Sequence, residues 1–319
     1  MKAAVISHWD VDGVASAAIA VRMGARLFKL AALSALHQLL GDTVLAAERI
    51  GADTLIIADL NPSPGQERLV ETSLDYALSI GMRVVWIDHH EWPGPLVDEL
   101  REMGVTLILD QSRVSAELVS SFLGCRDEVC TRLCEMAVDD DLFLNRDPLA
   151  VRWRRVLRWY NWRVRYNAVR AWARGVLWPE WVRPLWERLS SEYEALMTRT
   201  LSRVTVLDVD GYRLAVVRVA SEKLHPGEVH ARIVQAGYDA DIYAMIYDNG
   251  VSLRSETLPL ACIARRLGGG GHEKAAGIPG DSWTPTSLAE ALRRAIRECG
   301  AQSATPITGA RAASRRLTT

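Results

Sequence analysis

The sequence predicts an α/β chain: an N-terminal domain on a mostly parallel sheet, a helical connector, and a smaller C-terminal α/β domain. Three observations predict it. Over about the first 145 residues, short Val/Ile-rich apolar runs alternate with amphipathic stretches, which is how a parallel sheet covered by helices reads. From about Pro148 to Leu201 that alternation stops and tryptophan and arginine crowd in. From about Val204 to Cys299 the alternation returns. The expected divisions are 1–147, 148–201 and 202–300, followed by a loose, polar, basic tail over 301–319.

In chain order, the apolar runs Ala3–Ser7, Thr54–Ala58, Arg83–Ile87 and Thr106–Leu109 have the length and composition of strands buried on both faces. Helical patterns are expected over Gly13–Arg26, Gln66–Ile80, Pro95–Met103, Ser115–Leu123 and Val129–Val138. The next segment holds seven tryptophans: Trp153, Trp159, Trp162, Trp172, Trp178, Trp181 and Trp186. Ten arginines between Val151 and Arg188 face only Glu180 and Glu187, and no β alternation appears, so helices joined near Pro179 and Pro184 are expected. Two roles are open to it: a packed helical linker with a solvated Arg face, or a single-strand track in which rings stack on bases and Arg neutralises phosphates. Packing is the commoner fate of tryptophan. The last domain should hold strands Val204–Leu207, Leu214–Val219, Asp241–Tyr247 and Val251–Arg254, and helices Val229–Ala236, Pro259–Leu267 and Ser287–Glu298.

Composition narrows the function classes. The 319 residues are 49% hydrophobic and 24% charged with a net charge of -1, which fits a globular chain and excludes a uniformly basic nucleic-acid coat. No apolar run approaches the roughly 20 residues of a membrane-spanning helix, so no membrane association is expected. The opening MKAAVISHWD brings acid too early for a secretory core, and cytoplasmic localisation is the expectation. Cys125, Cys130, Cys134, Cys262 and Cys299 are odd in number and irregular in spacing, and read as small apolar residues rather than a disulfide framework or a zinc site.

The chemistry is written at the strand ends. The first run ends in Ser7-His8-Trp9-Asp10-Val11-Asp12-Gly13. Residues two apart in extended backbone share a face, so His8, Asp10 and Asp12 can converge beyond the strand. The second run ends at Asp59 and the third at Asp88-His89-His90. Open parallel sheets bind ligands outside the carboxyl ends of their strands. Imidazoles and carboxylates gathered there suit divalent ions, and more than four such groups suit two ions that activate a water against a phosphoryl group. Taken singly, Asp12 and Asp59 are equally well read as helix N-caps. Asp139-Asp140-Asp141 ends a helical run, where the dipole disfavours acids, so either a bound cation or a solvated turn is implied. In the last domain, Arg254 and Ser255 close a strand, and Gly268-Gly269-Gly270-Gly271-His272 follows a helix. A glycine run can bring backbone N–H groups close to an anion, with Arg254 and His272 beside it.

The set SHWDVDG, ADLNPS, IDHH, the acidic motif near Asp140, VSLRS and GGGGHEKAAG, in that order, resembles the DHH phosphoesterase superfamily with its DHH-associated C-terminal domain. Family members include RecJ-type single-strand exonucleases, nanoRNases that also dephosphorylate pAp, and cyclic-dinucleotide phosphodiesterases. The resemblance implies an active site in the cleft between the domains. It implies two Mn2+ ions, for which Mg2+ or Co2+ can substitute. His8, Asp10 and Asp59 resemble the ligands of one ion. Asp12, Asp59, His89 and Asp140 resemble those of the other, with Asp139 as runner-up to Asp140. Asp88 would brace the site or the His89 ring, and His90 would face the scissile phosphate. Arg254, Ser255, Gly269, Gly270, Gly271 and His272 correspond to the substrate-holding segment.

The first motif has the Asp-x-Asp-x-Asp-Gly spacing of the RecJ branch with His8 in place of the first Asp, and the Trp/Arg segment has no counterpart in the family pattern. A chain of this size with one C-terminal domain favours short oligonucleotides or nucleotides. The alternative is a RecJ-like exonuclease on longer single-stranded DNA or RNA. An inorganic pyrophosphatase and a non-catalytic replication scaffold are lesser readings, and the chain is compatible with a homodimer.

Overall fold

A computed structural model describes residues 2–62 and 65–300. The expected tail with Arg311, Arg315 and Arg316 lies outside the described residues, as does Ser63 of the ADLNPS motif. The chain divides into two compact units that meet between Leu189 and Ser190.

The first unit runs β1 (Ala3–His8), α1 (Val11–Arg22), β2 (Leu27–Ala31), α2 (Leu36–Arg49), β3 (Thr54–Ala58), α3 (Glu67–Ser79), β4 (Arg83–Asp88), α4 (Gly94–Glu102) and β5 (Thr106–Leu109). Then come α5 (Ser115–Leu123), α6 (Glu128–Asp141), α7 (Pro148–Trp159), α8 (Trp162–Ala173) and the start of α9 (Arg183–Leu201). Its five strands are all parallel, in the order β2-β1-β3-β4-β5. The chain leaves β1 for one neighbour and returns through α2 to the other, so the strand order reverses between β1 and β3. That reversal opens a crevice at the carboxyl ends of both strands. β3 is buried along its whole length, as expected for a central strand covered on both faces.

Neither β2 nor α2 was expected. β2, LFKLA, is an edge strand, half-exposed and interrupted by Lys29, so it lacks the unbroken apolar run of its neighbours. α2 buries Leu36, Leu40, Val44 and Ala47 at helical spacing. α1 is made largely of small residues, with Gly13, Ala15, Ser16, Ala17, Ala18 and Ala20 all buried. Small side chains admit close neighbours, and α5, α6 and α8 all pack against it. The Trp/Arg helices α7 and α8 thus belong to the first unit. Trp153 and Trp172 are fully buried edge to face, with ring centroids 5.1 Å apart, and Trp178 joins them at 5.4 Å from Trp153. Trp162 and Trp181 remain exposed.

The second unit takes the rest of α9 and continues through β6 (Thr205–Val209), β7 (Tyr212–Arg218), α10 (Pro226–Gln235), β8 (Ile242–Ile246), β9 (Gly250–Arg254), α11 (Leu260–Arg266), β10 (Gly270–Gly271), β11 (Ala275–Pro279) and α12 (Pro285–Glu298). Its sheet is mixed, ordered β10-β11-β9-β8-β7-β6, with only β7 and β8 parallel. Leu214, Val216, Ile242, Ala244 and Leu253 form a core with α11 and α12. β10 and β11 were not expected, because GG and AAGIP carry little apolar signal.

The cysteine reading is corrected. Cys125 is joined to Cys130 and Cys262 to Cys299, at Cα separations of 6.1 and 6.2 Å, and Cys134 keeps its thiol. Cys125 follows the left-handed turn at Gly124, which folds it back on the first turn of α6, while α11 and α12 pack together and carry Cys262 to Cys299. Spacing alone reveals neither approach. Disulfides are uncommon in cytosolic proteins outside hyperthermophiles, so the cysteines do not argue for a cytoplasmic location. No helix among the described residues is long and apolar enough to cross a membrane.

Candidate metal centre

The ends of β1, β3 and β4 bring the expected residues together. His8 closes β1, and its Nδ1 lies 2.8 Å from Oδ2 of Asp10. Asp10 also caps α1, its Oδ1 accepting the Gly13 N–H at 3.0 Å. The chain turns so tightly there that a Cβ on Gly13 would lie 2.3 Å from the His8 carbonyl oxygen, and only glycine fits. Ser7 ties the turn by donating from Oγ to the Gly13 carbonyl at 2.8 Å.

Asp12 is buried in the first turn of α1, and its two oxygens accept the N–H groups of Ser115 and Ala116 at 2.8 and 2.7 Å. The N-terminus of α5 therefore holds this carboxylate in place. Asp59, directly after β3, adopts a left-handed φ of 57°. Its N–H still bonds Ile87 across the sheet at 3.0 Å, and its Oδ1 accepts the Ser115 hydroxyl at 3.3 Å. Asp59 Oδ2 is 3.8 Å from His8 Nδ1, and Asp59 Oδ1 is 3.5 Å from His89 Nε2. His89 Nε2 also lies 3.9 Å from Asp12.

Of the two bracing roles expected for Asp88, the site or the His89 ring, its contacts fit the first. It is fully buried and accepts from Nδ1 of His90 at 2.8 Å and from Nε1 of Trp92 at 2.7 Å, so it braces His90 and not His89. Of the acidic triplet, Asp141 is the member facing the histidines, with Oδ2 3.8 Å from His89 Nδ1. Asp140, the expected ligand, forms an ion pair with Arg154 at 2.6 Å. Asp139, the runner-up, accepts the N–H groups of Arg146 and Asp147 at 2.9 and 3.0 Å and so ties down the turn after α6. The helix runs to Asp141 rather than stopping at Val138, and 100° of rotation per residue decides which acid faces the strand ends. Ser115 and Asp141 escaped sequence reasoning; the triplet was the only signal for the second, and the first had none.

The electrostatics are those of a site built for cations. Burial, then the charges of Asp141 and Asp10, raise the Asp12 pKa well above the carboxylate range. Burial, then Asp12, Asp10, Asp88 and Asp141, do the same to Asp59. Burial also opposes the charge on Asp10, but the charge and hydrogen bond of His8 and the Gly13 N–H outweigh it and hold that carboxyl low. For His90, burial disfavours the charged ring, but the Asp88 hydrogen bond and charge prevail and lift its pKa to about 9. Burial pushes Asp140 up to about 7 even beside Arg154.

Asp59 Oδ2 and His89 Nε2 are both buried without a hydrogen-bond partner. Orphaned polar atoms of that kind are costly unless something satisfies them. Ligand atoms of His8, Asp10 and Asp59 lie within 4.8 Å of one another, as do those of Asp59, His89 and His90, so Asp59 stands in both groups of potential ligand atoms. The donors, imidazole nitrogen and carboxylate oxygen, suit manganese, cobalt, zinc or magnesium. The residues present therefore fit the divalent ions that the sequence implied.

In the second unit, Arg254 is half-buried at the end of β9, donating from Nη1 to the Ser252 hydroxyl and the Leu253 carbonyl at 2.9 and 2.8 Å. Ser255 is buried, and its hydroxyl donates to the Asp241 carbonyl at 2.7 Å while accepting the N–H groups of Thr257 and Leu258, which makes it a turn residue. The glycines answer to packing. A Cβ on Gly269 would lie 1.9 Å from the Gly277 carbonyl oxygen, and one on Gly271, at φ 136°, would lie 2.6 Å from Ala275 O. Gly270 faces open space, and the His272 N–H closes the hairpin on Ala275 at 2.8 Å. Half-buried His230 stands against Tyr243, ring centroids 4.6 Å apart, and burial followed by the charge of Arg254 lowers its pKa.

No protein-family profile matches the chain, and no characterised protein matches it in sequence. Solved structures match it in fold. A DHH-domain member of the S1p family of ribosomal proteins has a TM-score of 0.64 at 15% identity, over 93% of this chain and 86% of that one. An exonuclease RecJ bound to manganese has a TM-score of 0.56 at 16% identity, over 96% and 91%. A pGpG-specific phosphodiesterase from Vibrio cholerae has a TM-score of 0.54 at 14% identity, over 93% and 99%. The chain has the fold of DHH-domain proteins, with a parallel five-stranded sheet followed by a second, mixed sheet.

Proposed function

We propose that this chain is a metal-dependent phosphoesterase that hydrolyses short oligonucleotides or nucleotides at a two-ion centre. The observation that carries this reading is the buried meeting of Asp12, Asp59 and His89, with Asp59 Oδ2 and His89 Nε2 left without partners. Buried acids that repel one another, as Asp12 and Asp59 do, are set up to receive a cation. His8, Asp10 and Asp59 would hold one ion, and Asp12, Asp59, His89 and Asp141 the other, with Asp59 between them. Such ions, when bound, lower the pKa of water and polarise the phosphoryl group. A RecJ exonuclease and a pGpG-specific phosphodiesterase share the fold, which supports a phosphoester substrate.

The chain's own residues do the rest. The Ser115 and Ala116 N–H groups fix the Asp12 carboxylate, and the tight turn at Gly13 fixes His8 and Asp10, so the ligands are pre-positioned. With a pKa of about 9, His90 carries both ring protons at neutral pH. Its Nδ1–H is engaged by Asp88, which leaves Nε2–H to donate to a phosphoryl oxygen. Arg254 and His272 of the second unit are proposed as further phosphate-holding residues. No side-chain nucleophile is required.

End-labelled RNA and DNA of different lengths test this: a dinucleotide, a pentanucleotide and a strand of about twenty-five nucleotides, each with manganese. Loss of the two short substrates with the long strand intact is the expected result. Stepwise shortening of the long strand would instead favour the exonuclease reading, which the exposed Trp162 supports. No cleavage of any of them, with intact metal loading, would overturn the proposal.

A further inference from the structure

Beside the metal centre stands a group of side chains that the chemistry above leaves unused. Trp9 lies between His8 and Asp10 in sequence, and its ring centroid is 5.3 Å from that of His8. The Arg165 guanidinium, from α8, stands 4.2 Å from the centroid of the Trp9 ring and 4.6 Å from that of Trp162. It is thus shared between two indoles, one step from the candidate ligands. Its Nε donates to the Leu157 carbonyl at 2.8 Å, and among the described residues no carboxylate pairs with it. Trp162 keeps 41% of its surface exposed. Burial and then the like charge of Arg158 work against the charge on Arg165, pulling its pKa down to about 10.

A half-buried guanidinium without an acid partner is an expensive group to maintain unless an anion completes it. An indole left open beside it is an equally unusual surface feature in a segment whose other tryptophans are mostly packed away. Phosphate and nucleobase are the two halves of one ligand that answers both.

We propose that Trp9, Arg165 and Trp162 form a nucleotide subsite next to the metal centre, Arg165 taking a phosphate neighbouring the scissile one and Trp162 stacking an unpaired base. This rests on the phosphoesterase reading for which phosphate is scissile, but the subsite itself requires only that the chain binds single-stranded nucleic acid. Arginine presents a planar fork to phosphate, and its other face is held by Trp9, which fixes its orientation. Stacking on Trp162 is tolerant of base identity, so the subsite would select for a nucleotide over inorganic pyrophosphate without choosing a sequence.

Fluorescence anisotropy with the full chain tests it, using a labelled oligothymidylate pentamer and the same backbone with abasic sugars. Calcium and then EDTA replace manganese, and salt is varied. Trp162→Ala should bind the pentamer about tenfold more weakly and the abasic strand as the parent does. Arg165→Ala should weaken both strands and flatten the slope of log affinity against log salt by about 0.7, the share of one phosphate in single strands. Trp162 is exposed, so its alanine variant keeps the fold readable if Arg165→Ala unfolds. Three proteins that bind both strands alike, or a parent that binds neither strand in either buffer, would overturn the subsite. The expected binding pattern without hydrolysis would overturn the phosphoesterase reading and leave the subsite standing. Hydrolysis with no difference in binding would do the reverse.

Discussion

Replacing Asp59 with Asn should stabilise the metal-free protein at alkaline pH and abolish its response to manganese. Burial and four neighbouring carboxylates raise the Asp59 pKa well above its ordinary value of 3.8. A carboxyl with a raised folded pKa holds its proton more tightly folded than unfolded. It therefore costs nothing below the unfolded value, and destabilises increasingly as pH rises from there toward the folded value. Ligand atoms of Asp10 and Asp59 lie within 4.8 Å of each other. Two ionised carboxylates so placed repel by about 3 kcal/mol at an effective dielectric of about 20. The Asp10 side chain is 39% exposed, and solvent screening brings that to about 1–2 kcal/mol.

Asn has the same shape and accepts the left-handed φ of 57° that Asp59 adopts, so backbone strain does not obscure the result. Urea and thermal melts in EDTA measure it. Near pH 3.5, below the ordinary carboxylate value of 3.8, the two proteins should agree to within about 0.5 kcal/mol. Near pH 8 the Asn variant should be more stable by about 1–2 kcal/mol, a few degrees in melting temperature. Manganese at about 100 times its dissociation constant should add about 2.7 kcal/mol per bound ion to the parent and almost nothing to the variant. An Asn variant less stable than the parent at the higher pH in EDTA, or equal stabilisation of both by manganese, would refute a cation site at Asp59.

Three further outcomes are expected. Asp141→Asn should weaken manganese binding at least tenfold by calorimetry, whereas Asp140→Asn should leave it within a few-fold and instead cost about 3 kcal/mol in melts by breaking the buried Arg154–Asp140 ion pair. Asp88→Asn removes the charge that lifts His90 to a pKa of about 9, so the NMR titration of that ring should fall toward its free value near 6.5, and the alkaline limb of any activity profile should move down with it. Stability drawn from the Asp88–His90 pair is present below about pH 6.5 and lost as pH rises through about 9, so the variant's deficit should shrink over that range. Cys262→Ser opens a bridge spanning 37 residues and should cost the second unit about 2–4 kcal/mol in denaturant melts under oxidising conditions.

What the sequence disclosed follows from where burial leaves a mark. β1, β3 and β4 are buried strands whose apolar runs stop abruptly at His8, Asp59 and Asp88, so strand and site were legible together. β2 was hidden because an edge strand carrying Lys29 does not look buried. β10 and β11 were hidden because the glycines that let two backbones touch have no side chains to read. Choosing Asp141 over Asp140 needed the rotational phase of α6, and its end lies three residues beyond the apolar pattern. Ser255 and the two disulfides depend on contacts between elements distant in sequence or on a turn, which residue spacing does not encode.

Manganese stoichiometry is the most direct test of the centre on which all of this depends. Equilibrium dialysis of the full chain, beside Asp59→Asn, should find about two ions per parent chain and almost none in the variant, because Asp59 is the group both ligand sets share. A parent that retains no manganese, or a variant that retains as much as the parent, would contradict it.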